Sequence, residues 1–329
     1  MYESAFHTHD ISGSSFLVTG GAGFIGSNLV EYLLKYNAGK VVVLDNLATG
    51  FAENIRPFYS SPNFKFMHGD ICDISKVTEA CIGIDYVLHQ AALGSVPRSI
   101  ENPIATHNVN ASGFLSVLVA ARDAGVKRVV YASSSSVYGD SMELPKTEGN
   151  IGRPLSPYAV SKLVNEFYAD IFSRAYNMEI IGLRYFNIFG PRQNPKGEYA
   201  AAIPLFINGL MHNKPVFING DGEQTRDFTF VENAVQANIK ALFCENFEAI
   251  GEVFNIAVGE NITINSLFSI LKELTGSSLE PTHRESRQGD VRESLADISK
   301  AEQILGYHPG VRIEEGLKRT VEWFRNAAH

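Results

Sequence analysis

FLVTGGAGFIGSNLVEYLLKY, running from Phe16 to Tyr36, decides the fold. An apolar run leads straight into three glycines, Gly20, Gly23 and Gly26, and the third opens a stretch whose apolar residues recur every three and four positions. The first part reads as a buried strand and the last as an amphipathic helix. Glycine allows a tight turn and close backbone approach to a pyrophosphate, while the following helix offers free N–H groups at its positive end. Turns also collect glycine for steric reasons alone, but here the flanking pattern is right on both sides. Working outward, KVVVLD (Lys40 to Asp45) supplies a second strand that ends on Asp45, 19 residues after Gly26. A carboxylate there accepts hydrogen bonds from the adenosine ribose hydroxyls of a dinucleotide and repels a 2′-phosphate, which points to NAD. The plainer reading of Asp45 is a turn residue in the pair Asp45–Asn46.

Further runs repeat the rhythm: Phe64 to Asp70, Asp85 to Ala92, Lys127 to Ser134, and Glu179 to Phe186, the last following a helix that begins near Tyr158. Strands without period-two alternation, separated by helical patterns, predict an α/β fold with a doubly wound parallel sheet of the Rossmann type. Beyond Phe186 the rhythm breaks. FGPRQNPKGEYAAAIP (Phe189 to Pro204) reads as a loop, Glu252 to Gly259 as one more buried strand, and Ile264 to Thr275 and Ile313 to Ala327 as helices. The expected organisation is a dinucleotide-binding domain over 1–186 with a returning segment at about 229–258. A smaller C-terminal substrate-binding lobe would be built from 187–228 and 259–329.

Composition narrows the function classes. The chain has 329 residues, 45% hydrophobic and 19% charged, which suits a globular protein with a large core. A net charge of −8 without a basic cluster argues against nucleic acid as a partner. Three cysteines, Cys72, Cys81 and Cys244, form no CxxC pair and read as reduced thiols. His7 and His9 have no Cys or carboxylate cluster beside them, so no metal site is expected. The first basic residue is Lys35, no run of some 18 apolar residues occurs, and a cytoplasmic protein without membrane attachment is the expectation.

Two further motifs carry chemistry. Tyr158 and Lys162, in SPYAVSK, stand four apart on a predicted helix and share one face. A tyrosine near its ordinary pKa is a poor base at neutral pH, and a neighbouring ammonium favours the phenolate. A Tyr-x-x-x-Lys spacing on its own is usually just a solvated helix face; beside the glycine loop and Asp45 it gains meaning. ASSSSVYGD (Ala132 to Asp140) ends the fifth strand at the edge where open parallel sheets bind ligands, so its serines read as a loop offering hydroxyls. Its plainer reading is an N-cap and turn.

Taken together, GGAGFIG, SSSSVYG and YAVSK resemble the extended short-chain dehydrogenase/reductase family in its nucleotide-sugar branch. LRYFNIFGPRQ, QTRDFTFVEN and RQGDVRESLADISKA resemble substrate-lobe motifs of UDP-hexose 4-epimerases. AALGSVPRS and RQNPKGEYAAAIP are most similar to the subgroup acting on UDP-N-acetylglucosamine. The resemblance implies Tyr158 as catalytic base, Lys162 as its partner and ribose ligand, and Ser134, with Ser135 close by, at the catalytic Ser/Thr position. It implies cofactor contacts at Gly20, Gly23, Phe24, Ile25, Gly26, Asp45, Asp70, Ile71, Ala91 and Asn110. For the UDP-sugar it implies Ser95, Ser134, Asn187, Phe217, Asn219, Arg226, Arg287, Asp290 and Ser294. An arginine fork suits a diphosphate, although each arginine taken singly reads as a surface ion-pair partner. Ser294, where a larger residue crowds the sugar's 2-substituent in the family, leaves room for an N-acetyl group without excluding other sugars.

The resemblance thus implies an NAD-dependent 4-epimerase of UDP-hexoses, foremost UDP-N-acetylglucosamine to UDP-N-acetylgalactosamine. It implies a 4-keto intermediate and return of hydride to the opposite face, for polysaccharide biosynthesis. Alternatives are a UDP-glucuronate 4-epimerase, another nucleotide-sugar dehydrogenase of the family, and a non-catalytic NAD-binding regulator, against which Tyr158 and Lys162 argue. Ser135 and Ser136 stand where 4,6-dehydratases carry an Asp-Glu pair. Asn233 stands where an Asp is frequent. A homodimer is expected, through the apolar faces of Phe114 to Ala121 and Val160 to Phe172.

Overall fold

The computed structural model describes residues 1–195, 201–285 and 292–327. Seven parallel strands form one sheet in the order β7-β6-β5-β4-β1-β2-β3: β1 Ser15–Thr19, β2 Lys40–Asp45, β3 Phe64–His68, β4 Tyr86–His89, β5 Arg128–Ser134, β6 Glu179–Tyr185 and β7 Val253–Ile256. The order reverses direction between β1 and β4, which opens a crevice at the carboxyl ends of those strands.

Successive residues of each strand feed opposite cores. Phe16, Val18, Val41 and Val43 face one side, with Leu29, Tyr32 and Leu33 of α1 (Phe24–Lys35); Leu17, Val42 and Leu44 face the other. That second core is completed by Val77 and Cys81 of α2 (Ile74–Cys81), Phe114 and Leu118 of α3 (Phe114–Asp123), and Ala169 and Phe172 of α4 (Pro157–Tyr176). Both faces are apolar because both are covered, which is why the strands carry no alternation in sequence.

The smaller core joins α5 (Ala202–Met211), α7 (Ile264–Thr275) and α9 (Ile313–Ala327) around Phe189, Phe206, Leu267 and Val321. Between them, α6 (Val231–Leu242) returns to the sheet, giving Val235, Ile239 and Leu242 to the β1 and β2 side. Ala301 and Leu305 of α8 (Ser299–Leu305), and Tyr307, also bury in that sheet-side core, although they fall in the stretch 259–329 that the sequence assigns to the second lobe. Asn233 fastens the lobes' connection: its Nδ2 donates to Val311 O at 2.7 Å and its Oδ1 accepts from Val311 N at 3.1 Å. An Asp there could not donate to the Val311 carbonyl.

Several local expectations change. β5 runs through Ser133 and Ser134, so only Ser135 onward leaves the sheet, as a short 3-10 turn to Tyr138. The expected loop to Pro204 is cut short by α5, whose first turn tolerates Pro204 because its N–H would have no helical partner. The helical run 103–123 is long and apolar enough by composition to cross a membrane, contrary to the sequence expectation; half of it is buried within this fold. Phe114, Val117, Leu118 and Ala121 of α3 are core residues, not a free face. On α4, by contrast, Lys162, Asn165, Ala169 and Phe172 turn inward while Val160, Phe167 and Ile171 are exposed.

Candidate active site

The glycine turn forms as its sequence requires. Gly20 has φ +69°, and a Cβ there would lie 2.6 Å from Ala91 N, while a Cβ on Gly26 would lie 2.2 Å from Gly20 O. Asp45 stabilises the turn from beneath, accepting from Ala22 N at 2.9 Å and from Leu47 N at 2.8 Å. Beside this turn a cavity of about 280 Å³ is lined by Gly20, Gly23, Asp45, Asp70, Ile71 and Ala91 among others. Glycine backbone, carboxylate and apolar wall in one cleft fit an adenosine with its pyrophosphate at the helix start.

Three of the expected cofactor contacts act differently from a direct side-chain contact. Phe24 and Ile25 pack their side chains against the second-lobe core, and Ile25 also reaches the sheet-side core. Asn110 is fully engaged: its Oδ1 accepts from Leu93 N at 2.8 Å, and its Nδ2 donates to Leu93 O at 3.2 Å and Ser161 Oγ at 3.1 Å. It sits in a π-helical turn, Asn108–Gly113, and ties the cavity-lining Leu93 to α4.

Ser156 caps α4 by accepting from Ala159 N at 3.1 Å, which starts the helix one turn ahead of Lys162. Tyr158 lies close enough to the Ser134 side chain at the end of β5 for that hydroxyl to pull its pKa down. Lys162 Nζ lies 6.0 Å from the centre of the Tyr158 ring and donates to Ala132 O at 2.8 Å. Burial raises the Tyr158 pKa, opposed by the Ser134 hydroxyl, and burial lowers that of Lys162 to about 8. The protein alone therefore does not make Tyr158 a phenolate at neutral pH; an added positive charge is needed, and the oxidised nicotinamide of NAD carries one. Ser134 also caps the 3-10 turn, accepting from Ser136 N at 3.1 Å, so its two sequence readings coexist.

Two joined cavities lie beside the chain neighbours of this group, Ser135, Ser156 and Ala159, although Tyr158, Lys162 and Ser134 themselves line neither. One, of about 320 Å³, is lined by Ser135, Ser136, Tyr138, Lys146, Glu293 and Ser294 with the Val96–Ile100 turn. The other, of about 290 Å³, is lined by Phe217, Asn219, Gln224 and Phe228. Asn187 and Arg226 line both. Phe217 carries the Arg284 guanidinium 3.3 Å from its ring centre. Ser95 does not line the cavity; its hydroxyl caps the following helix by accepting from Arg98 N at 3.3 Å. Arg287 and Asp290 lie outside the described residues. Asp227, next to Arg226, accepts from Val258 N, Gly259 N and Ala296 N, which fixes the strip of chain carrying Ser294.

Sequence reasoning missed Gln90, Leu93 and Lys146. The first two lie just beyond β4, where the rule that ligands bind at strand carboxyl ends would have flagged them. Lys146 stands in a loop with no motif around it. No group of three or more His, Cys, Asp or Glu with metal-binding placement exists among the described residues.

The sequence model of the NAD dependent epimerase/dehydratase family matches residues 16–257. The chain belongs to that family. The UDP-glucose 4-epimerase of Mycolicibacterium smegmatis is 38% identical over 312 residues, covering 94% of this chain and 98% of the relative. The UDP-glucuronate 4-epimerase of Thermodesulfobacterium geofontis is 36% identical over 318 residues, covering 94% and 95%. Among solved structures, the UDP-N-acetylglucosamine 4-epimerase of Methanobrevibacter ruminantium, in complex with UDP-N-acetylmuramic acid, superposes with a TM-score of 0.90 at 37% identity, covering 95% of this chain and 99% of that one. At this level of kinship, this family member is an NAD-dependent isomerase of the UDP-sugar 4-epimerase branch.

Proposed function

We propose that this family member inverts C4 of UDP-hexoses, with UDP-N-acetylglucosamine and UDP-N-acetylgalactosamine as its principal substrate pair. The observation that carries the reading is the pair of joined cavities: a roomy one beside Tyr138 and Ser135, with the small Ser294 on its wall, and an aromatic and amide-lined one beyond Asn187 and Arg226. The second suits a nucleoside, the junction suits a diphosphate, and the first suits a hexose with a bulky 2-substituent. Gly20, Gly23, Asp45, Asp70 and Ala91 would hold NAD, with Tyr158 and Lys162 toward its nicotinamide; bound there, it would supply a reversible hydride acceptor. Tyr158, as phenolate, accepts the C4 hydroxyl proton and later returns it, while Ser134 donates a hydrogen bond to the C4 oxygen as it becomes a carbonyl. Lys162 would add its charge to that of the oxidised nicotinamide in favouring the Tyr158 phenolate. Arg226 and Asn187 grip the diphosphate so that the 4-keto sugar can turn over while the nucleotide stays put.

The test is incubation of the purified protein, without added cofactor, with UDP-N-acetylglucosamine, UDP-glucose and UDP-glucuronate in separate samples, following the anomeric protons by NMR. Conversion of the acetylated sugar faster than the other two supports the reading. Faster conversion of UDP-glucose or UDP-glucuronate overturns the substrate, and no conversion of any, with NAD supplied, overturns the reaction.

A further inference from the structure

The buried cations fall into two kinds. Arg128 and Arg184 are each matched to a carboxylate, Glu179 and Glu166. Lys162 has none, but its place beside Tyr158 accounts for it. Among the described residues Lys146 has no carboxylate in ion-pair contact either, only the longer-range charge of exposed Glu143, and nothing in the reaction derived above uses it. It is only 5% exposed, its Nζ donates to Ser141 O, and it forms no ion pair among the described residues. An ammonium carries three donors, and burying it with two unmet is costly unless something else receives them.

Its position is set by the backbone. Lys146 N donates to Leu295 O at 2.8 Å, Lys146 O accepts from Asp297 N at 2.9 Å and from Asn255 Nδ2 at 2.9 Å, and Lys146 bridges Ala296 in parallel. This short ladder mounts Lys146 on the same wall as Ser294, and both line the 320 Å³ cavity. Ser135, Ser136, Tyr138, Ser156 and Ser294 bring hydroxyls to the same cavity, which give and take hydrogen bonds alike, while Arg226 stands where it joins the second cavity. Lys146 only gives. Glu293, on the same cavity, is exposed and makes no ion pair with it.

We propose that Lys146 is a specificity residue for the hexose. Its ammonium receives an oxygen of the sugar that can only accept: the carbonyl of a 2-acetamido group or the carboxylate of a uronate. A sugar hydroxyl satisfies it less well, because the hydroxyl proton must turn away. The inference rests on the reading of this cavity as the hexose site.

The test uses the full-length protein with its bound cofactor and the variant Lys146→Met, which keeps the length and removes the charge. kcat/KM is measured for UDP-N-acetylglucosamine, UDP-glucuronate and UDP-glucose, and each value is taken relative to UDP-glucose. A charge-assisted hydrogen bond is worth about a 10- to 100-fold drop in that ratio. A drop confined to the acetylated sugar assigns the acetamido carbonyl, and one confined to the uronate assigns the carboxylate. Ratios within about twofold of wild type for both sugars overturn the proposal, however much absolute activity changes. Lys146→Leu, which likewise carries no donor, serves if the methionine variant melts early. Should no sugar be epimerised, the same ratios read from calorimetric Kd values still judge Lys146, while the proposed reaction falls separately. If no UDP-sugar binds, both fall.

Discussion

Lys162 Nζ donates to the main-chain carbonyl of Ala132 at 2.8 Å, so the ammonium one turn beyond Tyr158 is moored to the strand that ends in Ser134. The helix bearing the base and the strand bearing the hydroxyl therefore move as one body. The arrangement keeps a cation in a dry place beside a phenol, which costs stability and is repaid in reactivity.

Tyr158→Phe should fold and retain NAD yet lose roughly 10²- to 10⁴-fold in kcat, the range for removing a positioned proton acceptor. NMR of the sugar and absorbance of the cofactor released on denaturation check the two halves of this expectation. Retention of most activity would assign the proton transfer to Ser134 or Ser135.

Lys162→Met should abolish turnover but leave the cofactor-free protein at least as stable at pH 7. The folded value of about 8 lies below the ordinary 10.5, so between these the unfolded chain binds more protons and wild-type stability rises with pH. The wild type should thus gain on the variant from about pH 8 to 10.5, by roughly 3 kcal/mol at most. Denaturant melts across that range read the difference, and a flat difference contradicts the buried ammonium.

Asp227 carries the opposite sign of lesson. Burial raises its carboxyl to about 6, against hydrogen bonds from Val258, Ala296 and Gly259. A raised folded value stabilises fully below pH 4 and is lost as pH climbs through 6. Relative to Asp227→Asn, wild type should lose up to about 3 kcal/mol of advantage, most of it between about pH 4 and 6. If urea melts show the advantage growing instead, the three N–H bonds outweigh burial.

Phe167→Glu tests the expected homodimer. Val160, Phe167 and Ile171 make an exposed apolar stripe on α4, and Ile100 and Ile104 stand exposed on the short helices packed beside it. We propose that a second copy covers this surface. Light scattering should report a dimer for wild type and a monomer for the variant; a monomeric wild type removes the idea.

The sheet was legible because its strands are buried on both faces, and apolar runs such as Val41 to Leu44 have no other home. The glycine turn and the Tyr158–Lys162 spacing were legible for a similar reason: their chemistry depends on neighbours within one turn. What escaped were residues whose meaning depends on distant chain. Ser133 and Ser134 stay in strand because β6 pairs beside them through Arg184 and Tyr185, despite poor local propensity. Lys146 gains its place only from a ladder with Leu295 and Asp297. Asn110 also ties Leu93 to Ser161, a fastening that spacing cannot show.

The core on the β1 side contains Phe16 and Val18 from the start of the chain, Val235 and Ile239 from its middle, and Leu305 and Tyr307 from near its end. During synthesis, the first 186 residues leave the ribosome with that face of the sheet covered by α1 but not yet by α6 and α8. They must wait, exposed to self-association, until some 120 more residues have followed. Cut at residue 186, the nucleotide-binding half would lose Val235, Ile239, Leu305 and Tyr307 from its core and should be less stable than the full chain. Its last stones are laid by the half that holds the sugar.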